Sequence, residues 1–126
     1  MASGNITKYA NGTDSGWVTY EGTADDQTDL YTGKIHVRRI GNIVEVTFES
    51  LALKENRTAS SWYTIETIAS QFRPPDGAYC SVNSRGRQAW LTVYINSAGN
   101  IRVGVQPDGN GWSSEDYIYM TMVYFV

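Results

Sequence analysis

Two segments of this chain alternate apolar and polar residues on both sides of a short turn. In the first, residues 34–49 (KIHVRRIGNIVEVTFE), a Gly-Asn dipeptide separates two alternating runs. Glycine in the first position of a two-residue turn favours a type II′ β-hairpin. If Ile40 pairs with Ile43, one face is an apolar row, and opposite charges meet on the other, as in Arg38 across from Glu45. A slip of one residue would destroy both patterns, so the register is strongly specified.

The second segment, residues 90–106 (WLTVYINSAGNIRVGVQ), predicts another hairpin. Pairing Ile95 with Ile101 leaves NSAGN as the loop, in which Gly99 is free to adopt a positive φ. Leucine, valine and isoleucine side chains then form a core row on one face. The opposite face carries three cross-strand pairs, which are Trp90 with Gln106, Thr92 with Gly104, and Tyr94 with Arg102.

The C-terminal segment, residues 116–126 (DYIYMTMVYFV), is apolar on both of its alternating faces. A strand with one face in water would carry polar residues on that face. We therefore expect this strand to be covered on both faces, either centrally in a sandwich or at a subunit interface.

Shorter runs predict the remaining strands. Residues 17–22 and 78–82 have strand composition, and residues 62–72 (WYTIETIASQF) are also predicted as a strand, although their apolar spacing matches a helix too. Pro74 and Pro75 end that element. Turn-forming residues recur about every 8 to 12 positions, as in a β-sandwich or barrel.

The composition supports an all-β fold. A length of 126 residues suits one domain, and nine Tyr, four Trp and twelve Gly are typical of aromatic-rich strands joined by turns. The predicted fold class is an antiparallel β-barrel or sandwich. Residues 1–15 are expected to be a flexible N-terminal segment, and residues 16–126 to form the domain.

Charge and residue counts argue against several classes of function. The net charge is −3 and the ten Lys and Arg residues are dispersed, unlike the basic patch of a nucleic-acid-binding protein. No apolar run approaches the roughly 20 residues that span a bilayer, and we expect no signal peptide or membrane anchor. His36 and Cys80 are too few for a zinc site, and a Gly-x-Ser-x-Gly nucleophile elbow is missing. We expect no catalytic residues, metal ion or cofactor, with His36 solvated and Cys80 buried.

The polar face of the second hairpin is the candidate site. Gly104 leaves a gap there between aromatic, hydroxyl and guanidinium groups, and such a cleft suits a polyhydroxylated ligand. Burial of Trp90 and Tyr94 against another strand or subunit would explain the same pattern. The candidate saccharide-binding residues are Trp90, Thr92, Tyr94, Arg102 and Gln106 on the hairpin, with Asp108, Asn110 and Trp112 in the Gly-flanked loop that follows.

The order of these segments resembles that of a known family. GWVTY, IHVRRIGNIVEVTF, IASQFRPP and LTVYINSAGNIRVGV, followed by a short aromatic terminal strand, are similar to the C-terminal head domain of phage receptor-binding proteins. These domains occur in tail fibres and baseplates of phages of Gram-positive bacteria. The resemblance covers roughly residues 16–126.

The resemblance implies a homotrimeric head that binds host cell-wall saccharides without catalysis. In such heads the penultimate hairpin contacts the saccharide, and the corresponding positions here are Thr92, Tyr94 and Arg102. Histidine and aspartate, common there in the family, are replaced by threonine and tyrosine. The implied partners are a bacterial cell-surface glycan and other phage tail proteins, and the implied location is the virion tail tip.

Three other interpretations remain open from the sequence. The chain could be a purely structural trimeric fibre-tip or baseplate domain, with Trp90 and Tyr94 between subunits. It could be a monomeric carbohydrate-binding module of a secreted enzyme. A small glycan-cleaving enzyme would need a pair of carboxylates, which the sequence does not single out.

Overall fold

The chain forms a sandwich of two antiparallel four-stranded β-sheets. The computed structural model describes residues 14–22, 31–53, 62–85, 90–105 and 116–126. The first sheet has the strand order β1-β2-β3-β8 and the second has the order β4-β7-β6-β5. The strands are β1 (Val18–Glu21), β2 (Tyr31–Ile40), β3 (Ile43–Leu53), β4 (Trp62–Thr67), β5 (Ala78–Asn83), β6 (Trp90–Ile95), β7 (Asn100–Val105) and β8 (Ile118–Phe125).

The core lies between the two sheets and consists of every second residue of the central strands. Ile35 and Val46 from the first sheet, and Val93 and Val103 from the second, are completely buried. Burying one such side chain contributes about 1.5–3 kcal/mol. Cys80 is only half-buried at the edge of this core, where we expected a buried residue. Within the described ranges no helix is long and apolar enough to cross a membrane.

Both predicted hairpins are confirmed with their registers. Ile40 pairs with Ile43 across the first turn, and Ile95 pairs with Ile101 across the second. Gly41 has a φ of 61° and Gly99 a φ of 85°, as those turns require. The first strand and the strand at residues 78–82 are also present.

Residues 62–72 do not form one continuous strand, so that prediction is wrong in its second half. The strand ends at Thr67, and a 3₁₀ turn spans Ser70–Phe72. The helical spacing in the sequence arises because Ile68 and Phe72 both enter the core. The Ile68 amide donates to the Gly99 carbonyl at 2.9 Å, next to the last β4–β7 pair, Thr67 with Asn100.

The last strand lies at an edge of its sheet, so the expectation of a central position is wrong. β8 pairs with β3, and its inward row, including Ile118 and Met122, is buried as expected. Its outward row is exposed, with Val123 at 62% and Phe125 at 74% of their full accessible area. The Arg85 guanidinium lies over the Tyr119 ring, but the described part of the chain leaves Val123 and Phe125 largely open to solvent.

The beginning of the described chain is attached to the first sheet. The Ser15 amide donates to the Arg39 carbonyl at 2.9 Å, and Asp14 forms an ion pair with Arg38. Residues 14 and 15, at the end of the segment expected to be flexible, thus contact β2. Residues 1–13 lie outside the described residues.

Candidate functional site

The outward face of the second sheet gathers the four candidate residues that the structure describes, and we call it the aromatic face. Alternation along β4, β5, β6 and β7 turns one side chain in two away from the core. Aromatic rings, hydroxyls, an amide and one guanidinium therefore share a single surface. Its residues are Trp62, Thr64, Tyr79, Ser81, Asn83, Trp90, Thr92, Tyr94 and Arg102.

Three rings form a contiguous cluster on this face. Tyr79 and Tyr94 are directly opposite each other on β5 and β6, and their rings stack with centroids 4.5 Å apart and planes at 21°. The Tyr94 ring also meets Trp62 edge to face at 6.3 Å and 75°. Such arrangements stabilise aromatic pairs by about 0.5–1.5 kcal/mol beyond area burial. The cluster therefore holds its rings in place before any ligand binds.

The gap that we predicted at Gly104 does not exist, because Trp62 fills it. Trp62 is the cross-strand partner of Gly104, and its ring lies across the glycine backbone. A Cβ atom at position 104 would stand 2.8–2.9 Å from three atoms of that ring. Glycine at position 104 permits close packing of a tryptophan from β4. The alternation within the β6–β7 hairpin could not predict that β4 pairs beside it. The surface is an aromatic platform rather than a cleft.

Arg102 provides a positive charge beside this platform. Its guanidinium lies 5.7 Å from the centroid of the Trp62 ring, within the range of a cation–π contact. Across the strands it is flanked by Thr64 on β4 and Tyr94 on β6. Within the described residues Arg102 forms no ion pair. Its donors are accordingly available to oxygen atoms of a ligand.

Trp90 stands at the opposite end of β6 from Tyr94. It pairs with Asn83 of β5 and is 54% exposed, so its ring is open to solvent rather than buried against another of the described strands. Thr92 lies between the two aromatic residues on the same face. The other candidates, Gln106, Asp108, Asn110 and Trp112, fall outside the described residues.

Two aromatic residues of this face, Tyr79 and Trp62, were not assigned to the site from the sequence. Tyr79 is 70% exposed and stacks on the candidate Tyr94, and Trp62 packs against the candidates Tyr94 and Arg102. Tyr79 could have been found by carrying the alternation of β6 onto the run AYCSV, where it shares a face with Ser81. Trp62 could not, because its position depends on β4 pairing with β7.

The outward face of the first sheet has a second polar cluster around His36. The Nε2–H of His36 donates to Glu49 Oε2 at 2.6 Å, and Nδ1 lies 2.9 Å from Thr19 Oγ1. The His36 side chain is half-buried and has two hydrogen-bond partners, whereas the sequence predicted a solvated side chain. Beside it is a shallow depression of about 350 Å³, lined by Trp17, His36, Glu45 and Thr47.

The contacts around His36 join strands of the first sheet. The described residues contain no group of three or more His, Cys, Asp or Glu side chains placed to hold a metal ion. The His36 hydrogen bond lowers the pKa of Glu49, with Lys34 adding a smaller effect, so this carboxylate stays ionised. Ionised, hydrogen-bonded Glu49 joins β2 to β3 and supports the sheet.

No model of a known protein family matches this chain, and no curated protein matches it either.

Proposed function

We propose that this chain is a non-catalytic receptor-binding domain of a phage or prophage tail that attaches to a saccharide on the bacterial surface. The observation that carries the proposal is the aromatic face. Trp62, Tyr79 and Trp90 are each exposed by 45% or more on one open surface, together with Arg102. Large exposed aromatic side chains that share one surface mark an interaction site.

The chemistry of this face suits a saccharide better than a flat apolar ligand. Aromatic rings pack against the C–H faces of pyranose rings, while hydroxyl, amide and guanidinium groups bond to the sugar hydroxyls. On the aromatic face Thr92, Ser81 and Asn83 stand between the rings. A purely apolar partner would remove water from the exposed Ser81 and Asn83 side chains without replacing its hydrogen bonds, at a cost in free energy.

A homotrimer at the tip of the tail fits the exposed edge of the first sheet. The outward row of β8 contains Tyr119, Val123 and Phe125, exposed by 49–74%. No charged side chain lies within Ile118–Phe125, although charges usually protect exposed edge strands from pairing. A trimer would also place three aromatic faces on one particle, so that weak single-site binding becomes strong attachment. Other phage tail proteins would hold the domain on the virion.

Binding to bacterial cell walls tests this function. Purified walls of candidate host strains are incubated with the wild-type chain and with the variants Trp90→Ala and Arg102→Ala, and the bound fraction is measured. For walls that bind the wild type, we expect the affinity for each variant to be about tenfold lower, because a stacking or charge-assisted contact is removed.

Trp17→Ala is the matched control. Trp17 is 49% exposed, close to the 54% of Trp90, but it lies on the other sheet. The Trp17→Ala variant should therefore bind to the walls like the wild type. Full binding by folded Trp90→Ala and Arg102→Ala would exclude the aromatic face as the attachment site.

The exposed β8 row also favours a second candidate, a purely structural trimeric tip or baseplate domain. In that case the subunits would bury Trp90 and Tyr94 as well as the β8 row, and the trimer would bind no wall. Wild-type trimers that are retained by no bacterial wall or wall polysaccharide, and that dissociate on Trp90→Ala, would support this structural role.

A further inference from the structure

Three consecutive cross-strand pairs run along the outward side of β5 and β6, and we call them the β5–β6 lane. The first pair is aromatic, the second carries two hydroxyls, and the third joins an indole to an amide. These pairs are Tyr79 with Tyr94, Ser81 with Thr92, and Asn83 with Trp90. Polar groups therefore lie between two aromatic platforms on a straight path.

The length of the lane exceeds one sugar ring. Successive residues on one face of a strand are about 6.6–6.8 Å apart, so Tyr94 and Trp90 are separated by roughly 13 Å along β6. A monosaccharide can contact one platform and the central hydroxyls, but it cannot reach both rings. Only a chain of sugars spans the distance.

The lane is also open along its length. Tyr79 and Trp90 are 70% and 54% exposed, and Ser81 and Asn83 are exposed as well. β5 is the edge strand of its sheet, so no further strand of that sheet borders the lane on that side. On the other side Trp62 lies across Gly104 and borders the lane at its middle pair. Within the described residues, a linear ligand can therefore lie along the exposed outward side of β5 and β6.

From this geometry we infer that the lane binds internal stretches of a linear oligosaccharide, at least three units long, with the sugar chain parallel to β6. The end units stack on the exposed rings of Tyr79 and Trp90, and the middle unit bonds to the exposed hydroxyl of Ser81. This inference rests on the proposed saccharide binding and adds to it the length and direction of the ligand.

Length series of defined sugars test the inference. Cello-, chito-, manno- and malto-oligosaccharides of one to six units are titrated against the wild-type chain by calorimetry. In any series that binds, we expect affinity to rise by about fivefold to tenfold from two units to three, when the second platform is reached, and then to level off. Equal affinity for one unit and three units would overturn the lane but leave saccharide binding standing.

Two variants locate the effect. Trp90→Ala should reduce the affinity for the three-unit sugar to that for the two-unit sugar, leaving the latter unchanged. Ser81→Lys should obstruct the middle of the lane and weaken all lengths above one unit. Thr67→Lys, at another exposed position, on β4, is the control and should retain the length dependence. If the Trp90→Ala variant kept the rise in affinity from two units to three, the proposed course of the sugar chain along the β5–β6 lane would be wrong.

If none of the four oligosaccharide series binds, the proposed binding of oligosaccharides along the lane is also overturned. The binding assay with bacterial walls then decides separately whether the proposed function falls too, since that assay needs no defined sugar. Retention on walls that depends on Trp90, without a length step in any series, would leave attachment without this lane.

Discussion

Tyr124 shows how one side chain connects two distant parts of the molecule. It is 8% exposed on β8, and its hydroxyl donates to the backbone carbonyl of Phe72 in the 3₁₀ turn. Burial, together with the nearby Tyr20, raises its pKa well above the ordinary value of 10, so the phenol remains a neutral donor even in alkaline solution. The bond fixes β8 of the first sheet against the connection between β4 and β5.

Replacing Tyr124 by phenylalanine should lower the free energy of unfolding by about 1–2 kcal/mol, because a buried carbonyl loses its donor. Urea denaturation followed by tryptophan fluorescence measures the change. Tyr79→Phe removes a hydroxyl from a side chain that is 70% exposed, and should alter stability by less than about 0.5 kcal/mol. Equal effects of the two substitutions would contradict this role of the Phe72 contact.

At the scale of elements, a polar row crosses the outward face of the first sheet. His36 on β2 contacts Thr19 on β1 and Glu49 on β3, and Thr47 on β3 bonds to Thr121 on β8 at 3.0 Å. These bonds join all four strands of the sheet on the side opposite the core. The sheet is thus supported by apolar burial on one face and by side-chain hydrogen bonds on the other.

The lowered pKa of Glu49 makes part of this support dependent on pH. Its hydrogen bond with His36 depresses the pKa below the ordinary 4.5, so the contribution to stability is complete above about pH 4.5 and is lost as the pH falls through the folded-state pKa. We expect Glu49→Gln to be less stable than the wild type at pH 5, and the difference to shrink as the pH falls below 4.5. Urea midpoints at intervals of half a pH unit measure it.

The His36→Gln background provides the control for this effect. If the hydrogen bond is the cause, Glu49→Gln should change the pH profile much less in that background than in the wild type. An undiminished effect would assign the acid sensitivity to other contacts of Glu49.

At the scale of the whole molecule, the two sheets present different surfaces. The second sheet exposes the aromatic face, whereas the edge of the first exposes an apolar row that includes Val123 and Phe125. A trimer assembled through β8 would leave the aromatic faces accessible. Assembly and attachment would then use separate surfaces of one small domain.

Light scattering on the purified chain measures this assembly. We expect a mass near three times 14.0 kDa for the wild type, and near one times that mass for Val123→Lys, because a charge on the outward row of β8 would be buried in the trimer. The fold should survive, since Val123 is 62% exposed in the single chain. Thr67→Lys, on the second sheet, should remain trimeric. A wild-type monomer would contradict the trimer and favour a monomeric binding module.

Both hairpins and their registers could be predicted from the sequence, as could one face of the candidate site. Alternation places Thr92, Tyr94 and Arg102 on one side of β6 and β7 whatever the rest of the chain does. The error at Gly104 has a physical reason, because the residue that fills the space above it, Trp62, belongs to another part of the sequence. A pattern within one hairpin contains no information on the strand that pairs beside it.

The sequence alone therefore determined what local periodicity and turn chemistry control, namely strands that pair with their neighbours in the chain and the face to which each side chain points. Only the tertiary structure decided which hairpins lie side by side. It brought Tyr79 onto Tyr94, Trp62 onto Gly104, and β8 to an open edge. Those outcomes depend on contacts between residues far apart in the chain, whose pairing is selected by the packing of the whole core.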